Sequence, residues 1–139
     1  MNFIKKNRKE KEIDLKFSCE GFVGNYELLV RDSYYFCRAG VNIGSILIDG
    51  SISACPNIDR SFSQGNIYNE NFYEVWKNKF EPFRNRNWTK IGQCKTCGQY
   101  NDCQGNGFHN WHNEKKNVLV CHNEKIKKAN NCKPDISKD

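Results

Sequence analysis

Cys94, Cys97 and Cys103 stand in the run GQCKTCGQYNDCQGNG, and Cys121 follows in VLVCHN. Four thiols gathered in a stretch this rich in glycine and asparagine have little apolar material around them, so hydrophobic burial gains little there. Thiolates converging on iron or zinc would fold the loop and bind the metal in one step. The two metals imply different chemistry. Zinc has no redox chemistry and would pin the loop, whereas an iron-sulfur cluster takes and gives electrons at a potential set by charge, hydrogen bonds and exposure. Small residues in GQYNDCQGNG let backbone N–H groups approach cluster sulfurs, although zinc-thiolate loops use the same donors.

The eight cysteines fall at 19, 37, 55, 94, 97, 103, 121 and 132 of 139 residues. Such a density also occurs in small disulfide-stapled secreted domains, but the opening MNFIKKNRKEKEIDLK has no apolar run of the kind a signal peptide needs. A cytoplasmic location is therefore expected, and in a reducing compartment CxxC spacing more often ligates metal than pairs with itself. Cys132, in the lysine-rich end, reads as a free thiol. Cys121 and His122 are only sequence neighbours, which is no basis for a nucleophile–base pair.

Other classes of function are disfavoured by composition. No stretch approaches the roughly 18 consecutive apolar residues of a bilayer span, so no membrane partner is expected. The net charge of +6 comes from lysines at the two ends, where acidic residues alternate with them. Mixed-charge ends of this kind are usually solvated, so nucleic acid is not expected as a partner.

The elements that must position the thiols can be read along the chain. Tyr26–Val30 has strand composition. Ile46 and Ile48 alternate on one arm of a hairpin, Ile52 and Ala54 on the other, and Asp49–Gly50 is suited to the positive φ values of a tight turn. Cys37 enters the first arm and Cys55 ends the second, so the hairpin can aim two further thiols. Phe72, Val75, Trp76, Phe80 and Phe83 recur near helical spacing, with Asn69 or Asn71 as cap and Pro82 as kink or stop. Their rings are expected in the core.

In the order Cys37, Gly50, Cys55, then Cys94, Cys97, Cys103 and Cys121, with twelve residues between the first two and four between Gly50 and Cys55, the chain resembles the SPASM domain. These domains are C-terminal extensions of radical S-adenosylmethionine enzymes that modify ribosomally made peptides and proteins, and they hold two auxiliary [4Fe-4S] clusters. The resemblance covers roughly residues 17–125, including CPNIDRSFSQGNIYNENFYEVW after the hairpin. It implies that Cys94, Cys97, Cys103 and Cys121 hold one cluster. For the other, Cys37 and Cys55 match, but the family's cysteine that follows Cys103 with three residues between them is here Gly107. A further family cysteine shortly before Cys37 is also missing, since Arg31, Asp32, Ser33, Tyr34, Tyr35 and Phe36 stand there. Cys19 could supply a thiolate if its segment doubles back as a hairpin, and His109 or His112 a nitrogen.

The expected fold is α+β: a small, loop-rich metal-cluster domain with short β-hairpins and one aromatic amphipathic helix. Residues 1–16 read as a charged tail or linker, 17–125 as the iron-sulfur domain and 126–139 as a basic tail. The motif CxxxCxxC is missing, and 139 residues do not hold a barrel of about 250 besides this module. The chain is thus not expected to be a radical S-adenosylmethionine enzyme alone. The resemblance implies an auxiliary [4Fe-4S] module serving electron transfer and substrate positioning, with three partners: a radical barrel in the same enzyme or a separate chain, a peptide or protein substrate, and an electron donor. The alternative is a zinc-pinned protein-interaction module without a redox role.

Overall fold

A three-residue loop, Ile48–Gly50, makes the turn expected from Asp49–Gly50. In the computed structural model, which describes residues 1–10, 12–112 and 114–131, β1 (Ser45–Ile46) pairs antiparallel with β2 (Ser51–Ser53), Ile46 opposite Ile52. The Leu47 amide donates to the Ser51 carbonyl at 2.9 Å and the Gly50 amide to the Leu47 carbonyl at 2.9 Å. Only Gly50 takes a positive φ, +79°, while Asp49 contributes by accepting the Ser51 amide at 3.1 Å. β3 (Gly65–Asn66) pairs with the other edge of β2. Ile52 and Ala54 are buried, whereas Ile46 lies on an edge strand and Ile48 at the loop tip is 98% exposed.

The aromatic helix forms as α3 (Phe72–Lys79), capped by Asn71, whose side chain accepts the Tyr73 amide at 2.9 Å. Pro82 neither kinks it nor ends it. The chain breaks at Phe80, and Pro82 sits in the first turn of α4 (Glu81–Arg84), where its missing N–H costs nothing. Arg84 turns back to donate to the Trp76 carbonyl at 2.6 Å, satisfying the C-terminal end of α3. Phe80 and Phe83 thereby enter the core with Phe62, Phe108, Trp111 and Val75. The rings pack edge to face, Phe83 on Phe108 at 5.2 Å and Trp88 on Trp111 at 5.1 Å. Phe62 and Phe83 are fully buried, so these aromatics are spent on the core rather than offered to a partner.

The segment before Cys37 differs from the strand expected at Tyr26–Val30. Glu27–Val30 is a helical turn, α2, because the buried Glu27 carboxylate folds back to accept the Val23 amide at 2.7 Å and also takes the Tyr35 amide at 2.7 Å. The segment does double back, the Phe17 amide reaching the Val30 carbonyl at 2.8 Å, but as a loop rather than a hairpin.

The ends are also more ordered than charged tails. Asn2–Asn7 forms α1, and Arg8 donates to the Arg31 carbonyl at 2.9 Å and pairs with Asp32. α5 (Tyr100–Cys103) leads to the second hairpin, β4 (Trp111–His112) with β5 (Asn117–Val118), Trp111 opposite Val118. α6 (His122–Asn131) then takes up the first part of the expected basic tail. Cys132 lies outside the described residues. Among those residues, no helix is long and apolar enough to cross a membrane.

Candidate metal centre

Cys94 closes a 3₁₀ turn (Gly92–Cys94), Cys97 follows in the next turn, Cys103 ends α5, and Cys121 immediately precedes α6. All four thiols line one pocket of about 170 Å³, with Tyr100 and Val118 on its apolar wall. Three of these thiols come from one short loop. The fourth follows the β4–β5 hairpin.

The loop is bent back on the pocket by three consecutive left-handed residues, Gln104 (φ 47°), Gly105 (φ 80°) and Asn106 (φ 71°). Gly105 has no substitute there: a Cβ would stand 2.2 Å from Thr89 Oγ1, and its carbonyl accepts the Trp111 indole N–H. Thr89, wholly buried, bonds the Arg86 carbonyl at 2.7 Å and contacts the Tyr100 hydroxyl at 2.8 Å, so the loop is bolted to the core. Asn106 bonds outward in two directions. Its Oδ1 accepts the Phe22 amide at 2.9 Å, and its Nδ2 donates to the Val120 carbonyl at 3.3 Å, beside Cys121. On the other flank Asn123 donates to Gln99 at 2.6 Å and Gln99 to Asn25 at 3.2 Å.

Electrostatics explain why the pocket asks for a cation. Burial first, then the neighbouring Cys121, pushes the Cys103 thiol up to about 12, while the Asn106 amide acts in the opposite direction. Burial and Cys121 likewise raise Cys94 to about 11. Clustered thiols in a low-dielectric pocket disfavour each other's charged form, and metal coordination reverses that preference. α6 starts just past Cys121, so the positive end of its dipole faces the negative charge of a thiolate cage. The donor set therefore fits a thiolate-ligated metal group.

The remaining expected residues lie elsewhere. Cys37 and Cys55 are half-buried against the aromatic core, and Cys19 is exposed. His109 Nε2 contacts the Glu20 carbonyl at 3.1 Å and Asn110 Nδ2 at 3.0 Å. His112 sits in β4 and accepts the Lys115 amide at 3.3 Å. Tyr35, whose hydroxyl lies against Cys37, is held neutral well above the usual tyrosine range, chiefly by burial.

Residues 37–98 match the family model of SPASM, an iron-sulfur cluster-binding domain. Over those residues the chain is similar to SPASM domains. The match spans just under half the chain and includes Cys37, Cys55, Cys94 and Cys97, while Cys103 and Cys121, which line the same pocket as Cys94 and Cys97, lie beyond it. No curated protein and no solved structure matches the chain.

Asn106, Asn123, Gln99 and Thr89, which shape this pocket, carry no signal in the sequence beyond polarity. The one trace is the placement of Asn106 between two glycines, since asparagine is among the few non-glycine residues that enter the left-handed region readily.

Proposed function

We propose that the chain is an auxiliary [4Fe-4S] module of a radical S-adenosylmethionine maturase, serving electron transfer and the positioning of a peptide or protein substrate. The observation that carries this reading is the convergence of Cys94, Cys97, Cys103 and Cys121 on one pocket within a SPASM-matched chain. A [4Fe-4S] cluster supplies one-electron chemistry when bound.

The chain's own residues account for how such a group would be held. Cys94, Cys97, Cys103 and Cys121 would ligate it, the Asn106 amide favours the Cys103 thiolate, and Val118 with Tyr100 would shield one side from water. Among the described residues no three His, Cys, Asp or Glu side chains come together closely enough to hold a single ion, so the reading rests on the pocket the four thiols share.

The test is anaerobic reconstitution of the whole chain, followed by iron, sulfide and zinc analysis and by redox titration with a radical-generating barrel protein present. About four iron and four sulfide per chain, lost in Cys97→Ala together with the reversible reduction, are expected. One zinc without sulfide would sink the redox role.

A further inference from the structure

We propose that this chain holds metal at the four-thiol pocket alone, and that the ground around Cys37 is closed by a metal-free brace built from Tyr35, His109 and Arg86. Three observations converge on it.

The first concerns Gly107, where the resemblance places the missing cysteine. A Cβ at Gly107 would stand 2.5 Å from the Tyr35 hydroxyl and 2.6 Å from Cε1 of His109. The volume that a ligand side chain would need is thus already filled by two rings. His109 is fixed in that place by the Glu20 carbonyl, and Tyr35 by the hydrogen bond its backbone N–H donates to the Glu27 carboxylate.

The second concerns charge. Arg86 is 6% exposed, its guanidinium held between the Phe36 ring at 4.4 Å and the Phe108 ring at 4.7 Å. It donates to the Cys37 carbonyl, and its ionisable neighbours are Cys37, Tyr35 and Tyr100 rather than a carboxylate. Its Nη1 has no hydrogen-bond partner among the described residues. A buried guanidinium against Cys37 fills that ground with a side chain fixed by two rings and supplies, within the chain, the positive charge that Cys37 would otherwise meet in a metal.

The third concerns the segment that would carry the other missing ligand. Arg31 is committed to the Gly21 carbonyl at 3.0 Å and to Glu27 at 3.4 Å, with its guanidinium over the Phe17 and Tyr35 rings at 5.1 Å each. An ion pair and stacked rings tie this segment down where a cluster would otherwise do so. Cys19 remains exposed.

The inference deepens the iron-sulfur reading by fixing the number of centres. Its test compares the reconstituted whole chain with Cys37→Ala/Cys55→Ala, Cys97→Ala, Gly107→Cys and Tyr35→Ala/Gly107→Cys, reading bound iron and melting temperature. About four iron per chain in the wild type, unchanged in the Cys37/Cys55 double variant, is expected. Gly107→Cys should lower the melting temperature without adding iron, and Tyr35→Ala should relieve part of that loss. About eight iron in the wild type, or iron lost with Cys37 and Cys55, would overturn the inference, as would iron gained by Gly107→Cys at unchanged stability. Metal lost in Cys97→Ala bears on the four-thiol reading, so the two fail separately.

Discussion

The Asn106 carboxamide accepts the Phe22 amide at 2.9 Å, joining residues 84 positions apart. Through its other end it holds Val120, so one buried side chain spans the N-terminal loop, the cysteine loop and the approach to Cys121. Asn106→Ala leaves the buried Phe22 N–H unpaired and places a Cβ-bearing apolar residue at φ 71° without local compensation. A loss of about 3 kcal/mol is expected in denaturant unfolding. Asn106→Gly removes the backbone strain but not the unpaired amide, so it should recover only part of that loss.

Gly105 and Gly98 make a contrasting pair on the same loop. A methyl group at Gly105 meets Thr89 Oγ1 at 2.2 Å and must occupy φ +80°, whereas at Gly98 it meets nothing within 4 Å. Gly105→Ala should abolish or strongly reduce iron loading while Gly98→Ala stays within about 0.5 kcal/mol of wild type. Equal iron content in the two variants would show that the left-handed turn does not set the pocket.

Glu27 is buried with two backbone amides and Arg31 on its carboxylate. Glu27→Gln leaves the Arg31 cation buried without its counter-charge, at a cost of about 3 kcal/mol or more. Because Glu27 does not line the four-thiol pocket, thermal unfolding should shift downward in both metal-free and iron-loaded protein. A shift confined to the loaded form would contradict that independence.

The thiols make the metal-free protein sensitive to alkali. Cys94 and Cys103 titrate near 11 and 12 in the fold, against an ordinary value of 9.0, so the fold favours their neutral form. Their contribution is intact below pH about 9 and is lost as pH rises through about 11 and 12. Equilibrium unfolding of metal-free protein across that window should show falling stability, and Cys103→Ala should flatten the fall. Metal uptake runs the other way, releasing protons and strengthening as pH rises.

What the sequence made legible was local. The paired cysteines, the Asp49–Gly50 turn and the spacing from Phe72 to Phe83 each carry their signal within a few residues, and each appears in the fold. The stretch Tyr26–Val30 misleads because β-type composition there is overruled by Glu27, whose partners at Val23, Arg31 and Tyr35 are set by the fold. The second hairpin forms instead at β4–β5. Asn106, Asn123 and Arg86 could not be singled out, since a lone polar residue in a loop announces neither its burial nor its partner.

The pocket draws Cys94, Cys97 and Cys103 from one continuous loop, whereas Cys121 reaches it only after β4 pairs with β5. The pocket therefore joins two parts of the chain that are distant in sequence. A metal group held by all four thiols would tie the cysteine loop to the β4–β5 hairpin and to the start of α6, so that binding it would also brace the fold.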